Sequence, residues 1–469
     1  MSSAHATCRP QSCKSQYRLR NERSQPSEAL RRALALLPAG GEVWEDFLDT
    51  IGVSLDQFCA EGPGGWVLGY MDALACIGFR TVVILFSARV ARPTRYVDEA
   101  SGNAITVLPV PRWYARLRHR FPTYRSIPTG QSGSGSRAGA ATLLGAGLSH
   151  LSTPVRLLAR ELRREGCGAI ICQEYEYFRF EAAVALGRAM GLPVLATFQG
   201  SSAEHNVLSR LLKRQAVRQS AGLLVAPSAE IERIRQRYGM QVRVFQVFNP
   251  VDTQEWAGGE RDDARAALGA EPQTRIAVWH GRVALHAKGL DVLLAAWARV
   301  CRDRPGRDLR LMLLGTGEDA EELGRGIAGL EGRTVFWTNR YVTDRAAIRR
   351  FLAAGDVFAF PSRLEGFAVA PLEAMACGLP VVAADASGIR DVLDQGPASG
   401  GLVVPRGDVD AFADALGRML DDPVLGAELG GLARRRIEAA FSPEAVGRQL
   451  LAALPGAAAC RGEERRVGR

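Results

Sequence analysis

Short apolar runs alternate with amphipathic stretches along most of this chain. The runs resemble buried parallel strands, and the stretches between them have the 3.6-residue period of helices. Predicted strands cover residues 81–87, 104–110, 168–173, 193–198, 222–228 and 242–248 in a first set, and residues 275–281, 309–315, 334–338, 356–361 and 380–384 in a second. Predicted helices cover residues 66–77, 180–190, 290–302, 344–354 and 409–421. The alternation favours an α/β protein with two doubly wound, Rossmann-like sheets, and a single barrel with more even spacing stays open.

A domain boundary is expected between the two sets of strands, at Asn249-Pro250-Val251-Asp252. Asn-Pro ends an extended segment and begins a turn. We therefore expect a first domain over residues 29–248 and a second over residues 249–455, whose final helix could pack back on the first. Residues 1–28 are expected to form a disordered basic tail, and residues 456–469 a charged tail.

Composition excludes several classes of protein. The chain has 469 residues, of which 47% are hydrophobic and 23% charged, which is typical of a globular protein. No run approaches the roughly 18 apolar residues of a membrane-spanning helix, and the first residues lack the apolar centre of a secretory signal. Nine scattered cysteines favour reduced thiols over disulfides or a zinc site. We therefore expect a cytoplasmic protein.

The net charge of +9 is concentrated in a few segments. Residues 112–125 combine five arginines with Trp113, Tyr114 and Tyr124. A basic surface with aromatic rings could contact an anionic membrane, and each basic residue near such a surface contributes about 1 kcal/mol. A solvated basic face and a face that binds an anionic acceptor are the alternatives, and a nucleic-acid-binding surface is a further one.

Residues 361–382 carry the most informative pattern in the chain. A predicted strand ends at Pro361, Gly366 allows a sharp turn, and a helix opens near Ala368. Gly378 suits the left-handed position after that helix. A helix that starts at the carboxyl end of a strand offers free N–H groups to an anion.

Two carboxylates bracket the predicted helix start. Glu365 lies in the turn, and Glu373 lies one to two turns into the helix. Carboxylates repel phosphate but accept hydrogen bonds from hydroxyl groups, such as those of a sugar and a ribose. The alternative is a solvated turn that holds two glutamates by chance.

Two cations follow the first predicted strand of the second set. Arg282 comes directly after His280-Gly281, and Lys288 precedes the next helix. An arginine can bind two phosphate oxygens at once, and a lysine adds a compact charge. This pair could neutralise a leaving diphosphate, and the alternative is an ordinary basic loop.

Residues 361–382 resemble the E-x7-E signature of family 4 retaining glycosyltransferases, whose GT-B fold has two Rossmann-like domains facing a central cleft. The resemblance implies that Glu365 contacts the donor sugar and that Glu373 holds the nucleotide ribose. The Gly281-Arg282 and Lys288 pattern is similar to the diphosphate clamp of that family. It follows from the resemblance that Arg282, Lys288 and Glu365 are the expected catalytic residues.

The resemblance implies further contacts to the donor. Tyr341 and Val342 would lie beside the base, and Gly64 and Gly65 match the first glycine loop, although the strand before that loop is poorly defined. Gln199 stands where many members of the family have a histidine, and the nearest histidine is His205. Gln199 can bond hydroxyls but cannot carry a proton. The expected donor-binding set also includes Gly281, Arg282, Lys288, Glu365, Gly366, Phe367, Ala368 and Glu373.

The resemblance therefore implies a retaining hexosyltransferase that moves a sugar from a UDP- or GDP-linked donor to a hydroxyl acceptor. A lipid-linked glycan is one such acceptor, and glycan, exopolysaccharide or glycolipid synthesis is the expected setting. We find no convincing Asp-x-Asp metal pair, so we expect no metal. The resemblance implies no cofactor besides the nucleotide-sugar substrate, and no nucleic-acid partner. The alternatives are a sugar-nucleotide epimerase of the same fold and a basic nucleic-acid-binding protein.

Overall fold

A computed structural model describes residues 17–19, 33–38, 43–51, 53–61, 66–98, 102–118, 151–200, 207–257, 261–330, 334–342 and 344–454. The strands are β1 (Tyr17–Leu19), β2 (Ala33–Leu37), β3 (Arg80–Ser87), β4 (Thr94–Asp98), β5 (Ala104–Pro109), β6 (Cys167–Cys172), β7 (Val194–Thr197), β8 (Gly222–Val225), β9 (Val244–Gln246), β10 (Arg275–His280), β11 (Leu309–Leu314), β12 (Val335–Thr338), β13 (Val357–Phe360), β14 (Val381–Ala384) and β15 (Gly401–Val404).

The helices separate most of these strands, as expected for βαβ units. They cover Glu45–Ile51, Leu55–Glu61, Trp66–Cys76, Arg112–Leu117, Val155–Arg164, Phe178–Met190, Val207–Gln219, Ser228–Tyr238, Arg261–Ala266, Leu290–Arg302, Ala320–Ala328, Arg345–Ala353, Ala370–Ala376, Ile389–Val392, Val409–Asp421, Pro423–Ala440 and Pro443–Ala453. A 3₁₀ turn covers Gly396–Ser399.

Two sheets confirm the prediction of two doubly wound α/β domains. The second sheet is parallel and has the order β12-β11-β10-β13-β14-β15. The first has the order β1-β4-β5-β3-β2-β6-β7-β8-β9, in which β4 pairs antiparallel with β1 and with β5. In both sheets the strand order reverses next to the first parallel strand, at β10 and β13 in one and at β2 and β6 in the other. Ligands of open α/β sheets bind at such points, outside the carboxyl ends of the strands.

The structure adds strands that the hydrophobic pattern did not predict. Ala33–Leu37 is fully buried and pairs in parallel with both β3 and β6. It is the strand that precedes the glycine loop, which the sequence left poorly defined. Tyr17–Leu19 pairs with β4, so the prediction of a disordered tail over residues 1–28 does not hold for these three residues. The rest of that tail and residues 456–469 lie outside the described residues.

The last helix returns to the first domain. Val446 and Leu450 belong to the same buried cluster as Tyr70 and Leu74 of helix Trp66–Cys76. Gly447 allows this close approach, because a Cβ at that position would lie 2.7 Å from the backbone oxygen of Ala73. The chain therefore crosses between the domains twice, once after β9 and once before Pro443–Ala453. In the part of the chain that is described, no helix is long and apolar enough to cross a bilayer.

Candidate active site

The predicted site residues of the second domain gather where its strand order reverses. β10 ends at His280 and leads into Gly281 and Arg282, and β13 leads into the turn that holds Glu365. These two strands are parallel neighbours, so both turns leave the same edge of the sheet. The fold thus places residues that are far apart in sequence around one crevice.

Lys288 and Glu365 form a close ion pair at this crevice. Lys288 Nζ donates to both carboxylate oxygens of Glu365, at 2.8 and 2.9 Å. The Glu365 side chain is only 7% exposed, and that of Lys288 is 22% exposed. Backbone bonds hold the two turns together, since the N–H groups of Arg363 and Leu364 both donate to the Ala287 carbonyl. Two of the three expected catalytic residues therefore lie in contact.

Glu373 lies beside His280. Its Oε2 is 3.3 Å from His280 Nε2, and the two side chains are 19% and 10% exposed. Burial raises the pKa of Glu373 to about 7, opposed in part by the positive charge of Arg345. Burial lowers the pKa of His280 to about 4, so the imidazole is uncharged near neutral pH. Glu373 lies in the first turn of Ala370–Ala376, closer to the helix start than predicted.

Arg282 and Tyr341 lie on the open side of the crevice. Arg282 Nη1 donates to Glu318 Oε1 at 3.1 Å, and both side chains are about half exposed. Tyr341 is 51% exposed, and burial of its hydroxyl together with the charge of Glu373 raises its pKa. Among the described residues, Arg282 consequently has a solvent-exposed ion pair as its side-chain contact, and the Tyr341 ring is accessible near Glu373.

The two domains meet at a pair of glycines. A Cβ on Gly366 would lie under 3.0 Å from the carbonyl oxygen of Gln199 and from Gly200 Cα. Gly200 itself has a φ of +103°, which favours glycine. We expected Gly366 to allow a ligand to approach, and the approaching group in this structure is the backbone of the first domain. This contact is directly beside Glu365.

Gln199 is bound to the segment that links the domains. Its Nε2 donates to Asn249 Oδ1 at 3.1 Å, and Asn249 Nδ2 donates to Gln199 Oε1 at 3.0 Å. Asn249 is 2% exposed. The amide of Gln199 is thus paired with the linker in this structure, and its contact with the donor sugar stays a prediction.

Phe367 does not present its ring to the crevice. The residue is 6% exposed, and its ring packs against Phe248 and Phe441, at 5.7 and 6.3 Å between centroids. The expected donor contact at this position is therefore limited to its main chain. Gly281 directly follows β10, Val342 lies in the segment after β12, and Ala368 precedes helix Ala370–Ala376, whereas Gly64, Gly65 and His205 lie outside the described residues.

Sequence reasoning missed several residues of this site. His280 is one of them, and its signal is that a polar residue ends a buried strand. The partners Glu318 and Asn249 gave no such signal, because their contacts depend on the tertiary fold. Within the described residues, no group of three or more metal-ligating side chains comes together.

Comparison with known proteins finds a family match within the second domain and relatives that match about half of the chain. Residues 274–422 match the family of glycosyl transferases group 1. The D-inositol 3-phosphate glycosyltransferase of Rhodococcus erythropolis is 32% identical over 235 residues, which are 48% of this chain and 52% of that protein. A GDP-mannose-dependent phosphatidylinositol monomannoside mannosyltransferase of Corynebacterium glutamicum is 30% identical over 230 residues, 47% of this chain and 58% of that protein. Over residues 274–422, the C-terminal domain is therefore similar to the glycosyl transferases group 1.

Solved structures extend the likeness of fold to nearly the whole chain. Anabaena HepE, solved in complex with UDP, aligns with a TM-score of 0.63 at 17% identity and covers 90% of this chain and 100% of its own. The fold is GT-B, as the sequence predicted. The chain spans about half the length of the curated relatives that it matches.

Proposed function

We propose that this protein is a retaining, metal-independent glycosyltransferase, which moves a sugar from a nucleotide donor to a hydroxyl acceptor. The observation that carries the proposal is the contact between Lys288 and Glu365 at the point where the strand order of the second sheet reverses. The ammonium of Lys288 can bind a diphosphate, and the carboxylate of Glu365 can accept hydrogen bonds from sugar hydroxyls. Arg282 follows β10, and Glu373 lies in the helix that follows the neighbouring strand β13, so both belong to segments that leave the same edge of the sheet.

In the proposed reaction, the bond between the anomeric carbon and the diphosphate oxygen breaks as the acceptor oxygen attacks from the same face. Arg282 and Lys288 stabilise the negative charge that grows on the departing diphosphate. The leaving phosphate takes the acceptor proton, so no protein nucleophile is needed. The contact between Gly366 and the first domain excludes water beside the sugar.

The donor and acceptor classes rest on the named relatives. HepE was solved with UDP, and the Corynebacterium relative uses GDP-mannose, so we propose a UDP- or GDP-linked hexose as donor. Both curated relatives act on inositol-containing acceptors, one of them a glycolipid. These relatives favour a role in glycan or glycolipid synthesis. They give no support to the epimerase alternative or to the nucleic-acid-binding alternative.

We also propose that the first domain contacts an anionic membrane surface from the cytoplasmic side. In helix Arg112–Leu117, Arg112 and Arg116 are exposed and Trp113 is 39% exposed, so they form a small basic and aromatic face. Tyr114, which we expected on this surface, is 3% exposed and belongs to the core. Arg118 pairs with Asp46, and residues 119–125 lie outside the described residues.

The test is incubation with a panel of radiolabelled UDP- and GDP-sugars. The proposal predicts slow hydrolysis of one donor, with release of the nucleoside diphosphate, and no loss of that activity in excess EDTA. Interconversion of the sugar would indicate the epimerase instead. Complete loss of activity in EDTA that magnesium restores would contradict the metal-independent mechanism.

A further inference from the structure

Glu174 has an unusual backbone conformation for its residue type. Its φ is +66°, and among the described residues no other non-glycine residue has a positive φ. Such conformations persist only where the surrounding structure enforces them, and they are frequent at functional sites. Glu174 follows β6 at the point between β2 and β6 where the strand order of the first sheet reverses. The location is where a ligand of the first domain is expected.

The carboxylate of Glu174 binds the backbone at the end of the neighbouring strand. Its Oε2 accepts the N–H of Gln199 at 3.0 Å, and its Oε1 lies 3.5 Å from the N–H of Glu176. Its own N–H lies 3.4 Å from Thr197 Oγ1. The residue is 2% exposed. Glu174 therefore connects the turn after β6 to the turn after β7.

A buried lysine fixes the turn after β6 from the other side. Lys213 is fully buried, and its Nζ donates to the carbonyls of Tyr175 and Tyr177 at 2.5 and 3.0 Å. The same ammonium pairs with Glu181 at 3.0 Å. Burial lowers the pKa of Lys213, and the charge of Glu181 opposes that shift. These bonds hold the carbonyls that follow Glu174 and so maintain its left-handed conformation.

The turn that Glu174 holds is the one that meets the second domain. The Gln199 carbonyl and Gly200 lie against Gly366, next to Glu365 in the chain. The Gln199 side chain is bonded to Asn249 of the linker. The hydrogen bond that Glu174 accepts from the Gln199 N–H thus holds a backbone segment that is in contact with both the candidate active site and the linker.

We propose that Glu174 is a positioning residue that sets where the Gln199–Gly200 backbone meets Gly366, and thereby the width of the cleft at Glu365. It does so through its carboxylate oxygen, which accepts the Gln199 N–H, and it does not touch the reacting atoms. The kinetic part of this inference rests on the proposed function. The structural part does not rest on that function, because hydrogen exchange at the Gln199 N–H can be measured directly.

The test compares Glu174→Gly with Glu174→Gln. Glycine accepts a φ of +66°, so Glu174→Gly should fold while it lacks the acceptor oxygen. Glutamine keeps an oxygen that can accept the Gln199 N–H. Glu428→Gln, which removes an exposed carboxylate of the second domain, is the matched control. Hydrogen exchange of peptides that contain Gln199, binding of UDP and GDP by calorimetry, and kcat for the donor found with the panel are measured for each.

In Glu174→Gly, hydrogen exchange at Gln199 should be at least tenfold faster than in the wild type, and kcat should be at least tenfold lower. The Kd for the nucleotide should stay within twofold of the wild-type value. Glu174→Gln should recover most of both properties. Unchanged exchange or unchanged kcat in Glu174→Gly would overturn the proposal, and so would a Glu174→Gln variant as impaired as Glu174→Gly. If the wild type processes no sugar nucleotide, the proposed function fails, whereas the exchange result still decides whether Glu174 positions Gln199.

Discussion

Lys288 donates two hydrogen bonds to Glu365 across the point where the second sheet reverses its strand order, at 2.8 and 2.9 Å. Both residues were expected in the site from sequence, but for different parts of the donor. Lys288, which is expected to bind phosphate, and Glu365, which is expected to bind the sugar, are therefore in direct contact. A donor bound there would have its reacting bond beside both side chains.

Replacing Lys288 or Arg282 by alanine should have similar effects on catalysis but different effects on stability. Lys288→Ala and Arg282→Ala should each lower kcat more than they weaken donor binding, because the diphosphate gains charge as the bond breaks. Lys288→Ala also leaves the buried Glu365 carboxylate without its partner, at a cost of about 1–3 kcal/mol. The ion pair of Arg282 with Glu318 is exposed to solvent, so removal of Arg282 should leave stability nearly unchanged.

Steady-state kinetics and thermal unfolding check this pair of variants together. A Tm loss of roughly 2–4 °C for each kcal/mol is expected for Lys288→Ala alone. Equal losses in donor affinity and in kcat/KM would mean that these cations bind the donor without contributing to the chemical step.

Stability should depend on pH through Glu373. Folding raises its pKa from 4.5 to about 7, so the native state binds more protons than the unfolded state in that window. Stability is therefore lost as the pH rises through 7. Glu373→Gln removes the carboxylate and should gain stability over the wild type between pH 5 and pH 8, by up to roughly 3 kcal/mol.

Denaturant unfolding at pH 5 and pH 8 measures this effect. His280 stays uncharged over this range and contributes no compensating charge, whereas Arg345 and Glu255 act on Glu373 with opposite signs. A wild type whose stability relative to Glu373→Gln does not change with pH would show that the Glu373 carboxylate is not held in an unfavourable buried state.

An added methyl group at Gly366 should separate the domains. The Cβ would lie under 3.0 Å from the backbone of Gln199 and Gly200, neither of which is a flexible side-chain end. Gly366→Ala should lower kcat at least tenfold while nucleotide binding to the second domain is kept. Gly431→Ala, whose Cβ would lie 3.5 Å from the end of the Arg435 side chain, is the control and should keep full activity. A fully active Gly366→Ala variant would show that the close contact between the domains is not needed for turnover.

Membrane contact should depend on the face of helix Arg112–Leu117. Sedimentation with anionic vesicles at low salt should carry down the wild type, and a variant with Arg112→Gln and Arg116→Gln should stay in the supernatant. A variant with Arg418→Gln and Arg435→Gln, at two exposed arginines of the second domain, controls for the loss of two charges. Binding that persists at high salt or with neutral vesicles would contradict an electrostatic contact.

The fold was largely predictable because buried parallel strands leave apolar runs that periodicity detects. Ala33–Leu37 escaped because its five residues are alanine and leucine, which favour helices in isolation, and only the pairing with β3 and β6 makes them a strand. Local pattern likewise placed Glu365 and Glu373, since each belongs to a motif that is continuous in sequence. It could not predict the contacts of Phe367, Gln199 and Glu174, because their partners lie far along the chain.

The most direct test of the account is titration of UDP and GDP into the wild type and into Glu373→Ala by calorimetry. A carboxylate that holds the ribose hydroxyls contributes about 1.5–3 kcal/mol, which is roughly a ten- to hundredfold change in affinity. The account predicts that one of the two nucleotides binds the wild type and that Glu373→Ala weakens this binding by that factor. An affinity that Glu373→Ala leaves unchanged would contradict the assignment of the crevice between β10 and β13 as the nucleotide site.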